Sequence, residues 1–272
     1  MKNAHKGVAL VTGASSGIGA VYARKLAERG YDLILVARNR QRLLKLAEDI
    51  MLKHEVAVSV WDADLTDPEQ LRSVEAHIKN EDKLVLLVNN AGFGSAAPLL
   101  DSDVDKMDEM IQLNITALTR LTYAAVSGFV ARGKGEIINI ASIVAIAPEI
   151  LNGVYGATKA YVQAFSYSLH HELNAKGIQV QAVLPGATAT EFWPVAGLPV
   201  EHLPQEIVMS AEDMVDAALV GFDRREVVTI PSLHEVAEWE RYESARQAMA
   251  GKFGHNKPAA RYLTEQIDTA SH

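Results

Sequence analysis

A run of four apolar residues leads through a turn with three glycines straight into a helical pattern, and few folds accept that order. Val8-Ala9-Leu10-Val11 shows no polar alternation, as a strand buried on both faces requires. Thr12-Gly13-Ala14-Ser15-Ser16-Gly17-Ile18-Gly19 forms the turn. Ile18, Val21, Tyr22 and Leu26 then recur at helical spacing until Gly30 closes the segment. Five further runs continue the theme: Leu33-Ile34-Leu35-Val36-Ala37, Val56-Ala57-Val58-Ser59-Val60, Leu84-Val85-Leu86-Leu87-Val88, Ile137-Ile138-Asn139-Ile140 and Val180-Gln181-Ala182-Val183-Leu184. Val227-Val228-Thr229-Ile230 supplies a seventh strand. Helical patterns separate nearly all of them, as in Leu43, Leu44, Ala47 and Ile50. Such alternation predicts an α/β fold: a doubly wound parallel sheet with helices on both faces, strand order 3-2-1-4-5-6-7.

We expect one domain over 1–272, with a core at about 6–230 and a C-terminal helical appendage from about 231. Glycine and proline crowd only at 185–204, where the pattern resumes afterwards. That stretch reads as a long loop, and long loops in compact domains often serve as lids. Its Phe192, Trp193, Val195, Leu198 and Leu203 suggest an apolar substrate, unless they only pin the loop down.

Composition removes several function classes. The formal net charge of −8 argues against generic binding to nucleic acid or an anionic membrane surface. With no cysteine there is no disulfide, thiolate metal site or cysteine nucleophile. No run of 18 apolar residues is present, so no membrane helix is expected. The opening Met1-Lys2-Asn3-Ala4-His5-Lys6 leads into a strand rather than a signal peptide, which suggests a cytoplasmic protein. His234-Glu235-Val236-Ala237-Glu238 lacks the second histidine of a zinc helix, so no metal site is expected. The acids from Asp101 to Asp108 suit a solvated helix start.

The glycine turn carries the first chemistry. Glycines let a backbone bend sharply and approach a ligand, and free N–H groups at the helix start can face a pyrophosphate. The spacing G-x-x-x-G-x-G is one residue longer at the front than the usual dinucleotide pattern. An acid at the end of the second strand would select a free ribose 2′-OH. Here Ala37 is followed by Arg38, whose planar fork can hold a 2′-phosphate, with Arg40 and Arg42 adding to the local field. NADP(H) is therefore expected over NAD(H), unless the three arginines are only solvated charges.

Tyr155 and Lys159 stand four apart in a helical stretch and share a face. An ammonium beside a phenol favours the phenolate and would make the tyrosine a usable acid and base. Ser142 follows the fifth strand, at the sheet end where ligands bind, although a turn serine would look the same. Asn114 lies on the apolar line Met107, Ile111, Leu118, Leu121, Ala125. A buried amide there needs partners, as a satisfied core residue or as part of a site.

Together these residues resemble the short-chain dehydrogenase/reductase family in its compact single-domain branch. The segment Thr12–Gly19 is similar to that family's cofactor motif, through Gly13, Ser15, Ser16, Gly17, Ile18 and Gly19. Asn89-Asn90-Ala91-Gly92 resembles its N-N-A-G segment, and Asn114, Ser142, Tyr155 and Lys159 its catalytic tetrad. Asp64-Leu65 looks like the pair at the adenine pocket. Pro185-Gly186-Ala187-Thr188-Ala189-Thr190 looks like the segment at the nicotinamide amide, through Pro185, Gly186, Thr188 and Thr190. The resemblance spans about residues 6–230 and implies a Rossmann-type sheet and hydride transfer between NADP(H) and a carbonyl or alcohol. It further implies that Ser142 holds the substrate oxygen and that Tyr155 exchanges the proton. Lys159 would hold the nicotinamide ribose and lower the Tyr155 pKa, and Asn114 would anchor a relay water. The family usually pairs through two helices, here around 104–131 and 153–175, so a homodimer or homotetramer is expected. Small residues at Gly153, Ala157, Ala160 and Ala164 would permit close approach. A non-catalytic dinucleotide sensor and a longer nucleotide-sugar epimerase or dehydratase are the alternatives. The filled tetrad counts against the first and the chain length against the second.

Overall fold

The computed structural model describes residues 5–263. Among the described residues nine strands form: β1 Val8–Thr12, β2 Asp32–Ala37, β3 Val58–Asp62, β4 Leu84–Asn89, β5 Gly135–Ile140, β6 Ile178–Val183, β7 Thr188–Ala189, β8 Met209–Ser210 and β9 Val228–Thr229. The helices are α1 Gly17–Glu28, α2 Arg40–Lys53, α3 Pro68–Asn80, α4 Val104–Ile111, α5 Leu118–Arg132, α6 Gly153–Leu173, α7 Phe192–Ala196, α8 Ala211–Asp223 and α9 Val236–Ala250. Seven strands make one sheet in the order β3-β2-β1-β4-β5-β6-β9, every pair parallel. This is the expected order: β9 is the seventh strand of the sheet, because β7 and β8 pair only with each other in the stretch after β6.

Alternate side chains of each central strand feed two cores. Ala9, Val11, Leu33, Leu35, Leu86 and Val88 face one way, against α1, α2 and α8. Val8, Leu10, Ile34, Val36, Leu84 and Leu87 face the other, against α3, α5 and α6. Burial on both faces is why these strands read as unbroken apolar runs. Each fully buried leucine contributes about 1.5–3 kcal/mol, so the centre of the sheet is the stable frame on which the strand ends are held.

Two sequence expectations shift. The third strand begins at Val58 rather than Val56 and runs through Trp61 to Asp62. The Ala57 N–H is taken by the Asp32 carboxylate at 2.7 Å, and β3, an edge strand, needs no continuous apolar run. The helix carrying Asn114 is not regular. A π-helical turn, Gln112–Ala117, lies between α4 and α5. Met110 is fully buried one turn before Asn114, whereas Ile111 is exposed. Wide turns of this kind are frequent at functional sites.

The chain divides into two compact units at Ser232/Leu233. Within the second unit α9 buries none of its residues, and Trp239 and Tyr242 stack with centroids 5.3 Å apart. No described helix is long and apolar enough to cross a membrane. Among the described residues no group of three or more His, Asp or Glu could hold a metal ion.

Candidate active site

The glycine turn is shaped by sterics. Gly13 has φ +65°, and a Cβ there would lie 2.8 Å from Asn90 Nδ2 and 2.9 Å from Ala91 Cα. A Cβ on Gly19 would run into the Gly13 carbonyl oxygen and come within 2.5 Å of Asn90 Nδ2. Asn90 clamps the turn by donating to Thr12 O at 2.8 Å and Gly13 O at 3.3 Å. The Thr12 hydroxyl in turn accepts from the N–H groups of Asn90 and Ala91, at 3.0 and 2.9 Å. The first turn of α1 receives no side-chain cap from Ser16, and Ser15, Ser16, Gly17 and Ile18 are half-buried. A helix start with uncapped N–H groups and a close backbone approach suits a pyrophosphate.

The three arginines after β2 differ in freedom. Arg40 is paired with Asp62 and Arg42 with Glu191. Arg38 is 77% exposed and meets Asp64 only at 3.8 Å. Asp64 is mainly occupied by Thr66, accepting from its N–H at 2.9 Å and its hydroxyl at 2.7 Å. Leu65 is buried.

The tetrad residues gather at the carboxyl ends of β4, β5 and β6. Asn114 is buried and hydrogen-bonded through both amide atoms: Nδ2 donates to Phe93 O at 2.9 Å and Thr158 Oγ1 at 3.1 Å, and Oδ1 accepts from Phe93 N–H at 3.1 Å. Gly92 allows this approach, since a Cβ would sit 2.9 Å from Asn114 Oδ1. Ser142 caps a short 3₁₀ turn, accepting from Val144 N–H at 3.3 Å, and donates to Pro185 O at 3.4 Å. Ser142 lies close enough to the Tyr155 hydroxyl to draw its pKa down. Lys159 Nζ donates to Ile140 O at 2.8 Å and sits 5.8 Å from the Tyr155 ring centroid. Sequence reasoning missed Thr158, which bridges Asn114 to α6 and donates to Tyr155 O at 2.8 Å. Its position beside Lys159 carries no periodicity signal.

Burial governs the two titrating groups. It pushes the Tyr155 hydroxyl up to about 12, opposed by the Ser142 side chain. It pushes Lys159 down to about 8. The sequence suggested that Lys159 would lower the tyrosine. In the folded protein desolvation dominates at both groups, and the Lys159 ammonium is directed to a backbone carbonyl.

The segment after β6 closes over this end. Gly186 O accepts from the Thr188 hydroxyl at 3.1 Å, Thr188 O from Trp193 Nε1 at 2.8 Å, and Thr190 Oγ1 from Phe192 N–H at 3.3 Å. Thr190 also lies against the glycine turn, 3.3 Å from where a Gly17 Cβ would be. The Phe192 and Tyr155 ring centroids are 5.6 Å apart, within an apolar cluster of Met107, Met110, Val144 and Phe93.

This sheet, cradle and Ser–Tyr–Lys cluster define a class, and comparison with known proteins agrees. The model of the short chain dehydrogenase family matches residues 7–197. The chain belongs to the short-chain dehydrogenase/reductase family. It is similar to a short-chain dehydrogenase from Sphingobium yanoikuyae solved in complex with NADPH: 47% identity, TM-score 0.92, covering 94% of this chain and 100% of that one. It is also similar to a bulky-bulky ketone specific alcohol dehydrogenase from Comamonas testosteroni: 42% identity, TM-score 0.88, covering 96% and 100%. A very-long-chain 3-oxoacyl-CoA reductase from Anas platyrhynchos is 37% identical over 189 residues, 68% of this chain and 60% of that protein.

Proposed function

We propose that the protein is an NADP(H)-dependent oxidoreductase that interconverts a hydrophobic, bulky ketone and its alcohol. The observation that carries this is the convergence of the Ser142 hydroxyl, the Tyr155 hydroxyl and Lys159 beside the glycine cradle, under an apolar cover. The residues fit a nicotinamide dinucleotide. Gly13, Ser15, Ser16, Gly17, Ile18 and Gly19 would hold the pyrophosphate, Asp64 and Leu65 the adenine side, and Asn90, Ala91 and Gly92 the middle. Pro185, Gly186, Thr188 and Thr190 would hold the nicotinamide end. Arg38, the least occupied of the three arginines, would hold a 2′-phosphate. The dinucleotide supplies or accepts the hydride when bound.

The chain's own residues handle the oxygen and its proton. Ser142 donates a hydrogen bond to the substrate oxygen and aims it at Tyr155. Tyr155 gives its proton to the forming alkoxide, or takes it in oxidation. A hydroxyl held up at about 12 carries its proton at neutral pH but is a weak acid, so giving that proton up needs Lys159 charged beside it to stabilise the phenolate. Lys159, which donates to the Ile140 carbonyl, would hold the nicotinamide ribose and would supply that charge. Asn114 holds the 93 backbone and Thr158, and anchors the water that links Lys159 to solvent. Bulk and apolarity of the substrate are supported by the Phe192, Phe93, Met107, Met110 and Val144 cluster and by the ketone specificity of the Comamonas relative. A cytoplasmic homodimer or homotetramer, joined through α4–α5 and α6, completes the proposal. Gly153, Ala157 and Ala164 on α6 are exposed, as close helix contact would need.

NADPH oxidation should be followed with aryl ketones, steroids, acyl thioesters and small polar aldehydes, in parallel with NADH. We expect the highest kcat/KM on ketones with two bulky substituents and NADPH. Tight NADPH binding with no turnover of any carbonyl would favour the non-catalytic sensor instead.

A further inference from the structure

Asn152 does more than its place in the sequence requires. It is buried at the start of α6, three residues before Tyr155. Its Oδ1 accepts from the N–H groups of Val154 and Tyr155, at 2.9 and 3.4 Å, which is ordinary helix capping. A cap needs only an acceptor, and serine or aspartate serves as well. The amide also donates: Nδ2 to Ala97 O at 2.7 Å, while the Asn152 backbone N–H donates to Ser95 O at 3.3 Å. Between these two contacts, Ala96 N–H donates to Ala196 O, the last residue of α7, at 2.9 Å. A continuous hydrogen-bonded path therefore runs from the helix of Tyr155, through 95–97, to the lid.

The same segment sets how the lid meets the site. Gly94 has no room for a side chain: a Cβ would be 2.5 Å from Phe192 Cζ and 3.1 Å from Tyr155 Cδ2. Moving 95–97 would move the surface on which Phe192 rests.

We propose that Asn152 is a positioning residue whose Nδ2–Ala97 contact straps the lid, α7 and Phe192, to the helix that carries Tyr155. This rests on reading Tyr155 as the proton-exchanging residue. A broken strap leaves the Ala97 carbonyl without its donor and raises the population of the open lid. Substrate is held less well, while the cofactor cradle is not touched.

The test uses Asn152→Asp, which keeps the capping acceptor and has no donor, Asn152→Ser, which keeps the acceptor but lacks the amide that reaches Ala97 O, and Asn152→Ala, which loses both. Hydrogen exchange is measured on the full-length protein, with NADPH Kd, KM and kcat on a ketone that the wild type turns over. In the Ser and Asp variants, amides at 95–97 and 193–198 should exchange about tenfold faster and KM should rise about tenfold, the worth of one hydrogen bond and an orphaned carbonyl. NADPH Kd, kcat and exchange in the central strands should stay at wild-type values. Wild-type exchange and KM in the Ser and Asp variants, with changes only in Ala, would reduce Asn152 to a cap and overturn the strap. Faster exchange throughout α6 and the sheet would overturn it too. If the wild type reduces no carbonyl, the proposed function fails while the exchange comparison still decides the strap.

Discussion

The glycine turn at 12–19 and the lid at 188–208 both lie at the carboxyl ends of the strands, but different forces hold them. The turn is locked by close approach: its glycines are boxed in by the Asn90 side-chain amide, the Ala91 backbone and the Gly13 carbonyl, and it springs from a strand with no exposed residue. The lid is held by a few single hydrogen bonds, the Thr188–Trp193 and Ala96–Ala196 contacts among them, and by apolar rings. Side chains such as Val195 and Ile207 on it are exposed. A turn with no room for a Cβ tolerates almost no change and so can define a whole family's chemistry. A lid held by a few single contacts can be retuned one residue at a time, and binding residues are disproportionately found on such loops.

The strongest way to test this contrast is to add one methyl group to the turn. Gly19→Ala drives a Cβ into Gly13 O and Asn90 Nδ2, so NADPH affinity should fall at least about a hundredfold, equivalent to about 2.7 kcal/mol. Gly153→Ala meets nothing within 4 Å and should bind NADPH normally. Calorimetric titration of both variants would expose an error if they behaved alike. Next in size is Arg38→Asp, which should reverse an NADPH preference of about tenfold, about 1.4 kcal/mol. An unchanged Kd ratio would make Arg38 a surface charge.

On the lid, Phe192→Ala should leave NADPH Kd alone and raise the kcat/KM ratio of bulky to small ketones about tenfold, the worth of roughly one or two methylenes of pocket. A fall in NADPH affinity without a change of ratio would remove the division of labour between turn and lid. A last expected effect falls on stability rather than on binding or turnover and concerns pH. Lys159, pushed down to about 8 from 10.5, binds its proton more weakly folded than unfolded. The unfolded chain therefore holds more protons between those values, and stability should rise with pH across about 8–10.5, by up to about 1.4 kcal/mol per pH unit. Urea melts of wild type and Lys159→Met at both ends of the window should differ in that rise; parallel behaviour would mean Lys159 titrates normally.

Much of the frame could be read from residues alone because its causes are local. Double-sided burial makes an unbroken apolar run, and a Cβ clash makes a glycine, so β1, the turn and the strand order followed directly. The tetrad was legible only jointly, since Ser142 by itself is also a cap and Asn114 is also a satisfied core amide. What escaped depends on contacts between distant segments. The π turn at Gln112–Ala117 leaves no mark on hydrophobic spacing, and Thr158 joins Asn114 across 44 residues. Asn152 reads as a routine cap until Ala97, 55 residues away, is seen at its amide. The fall of Lys159 and the rise of Tyr155 come from desolvation, which sequence spacing does not register.

The central claim is that the buried Tyr155 hydroxyl exchanges the substrate proton next to Ser142. Tyr155→Phe keeps the ring that packs on Phe192 and removes only the oxygen. Single-turnover reduction of a bulky ketone, measured beside NADPH Kd, should show the hydride-transfer step slowed by about 10²–10⁴-fold with Kd unchanged. A Phe variant that reduces the same ketone at near wild-type rate would contradict the account.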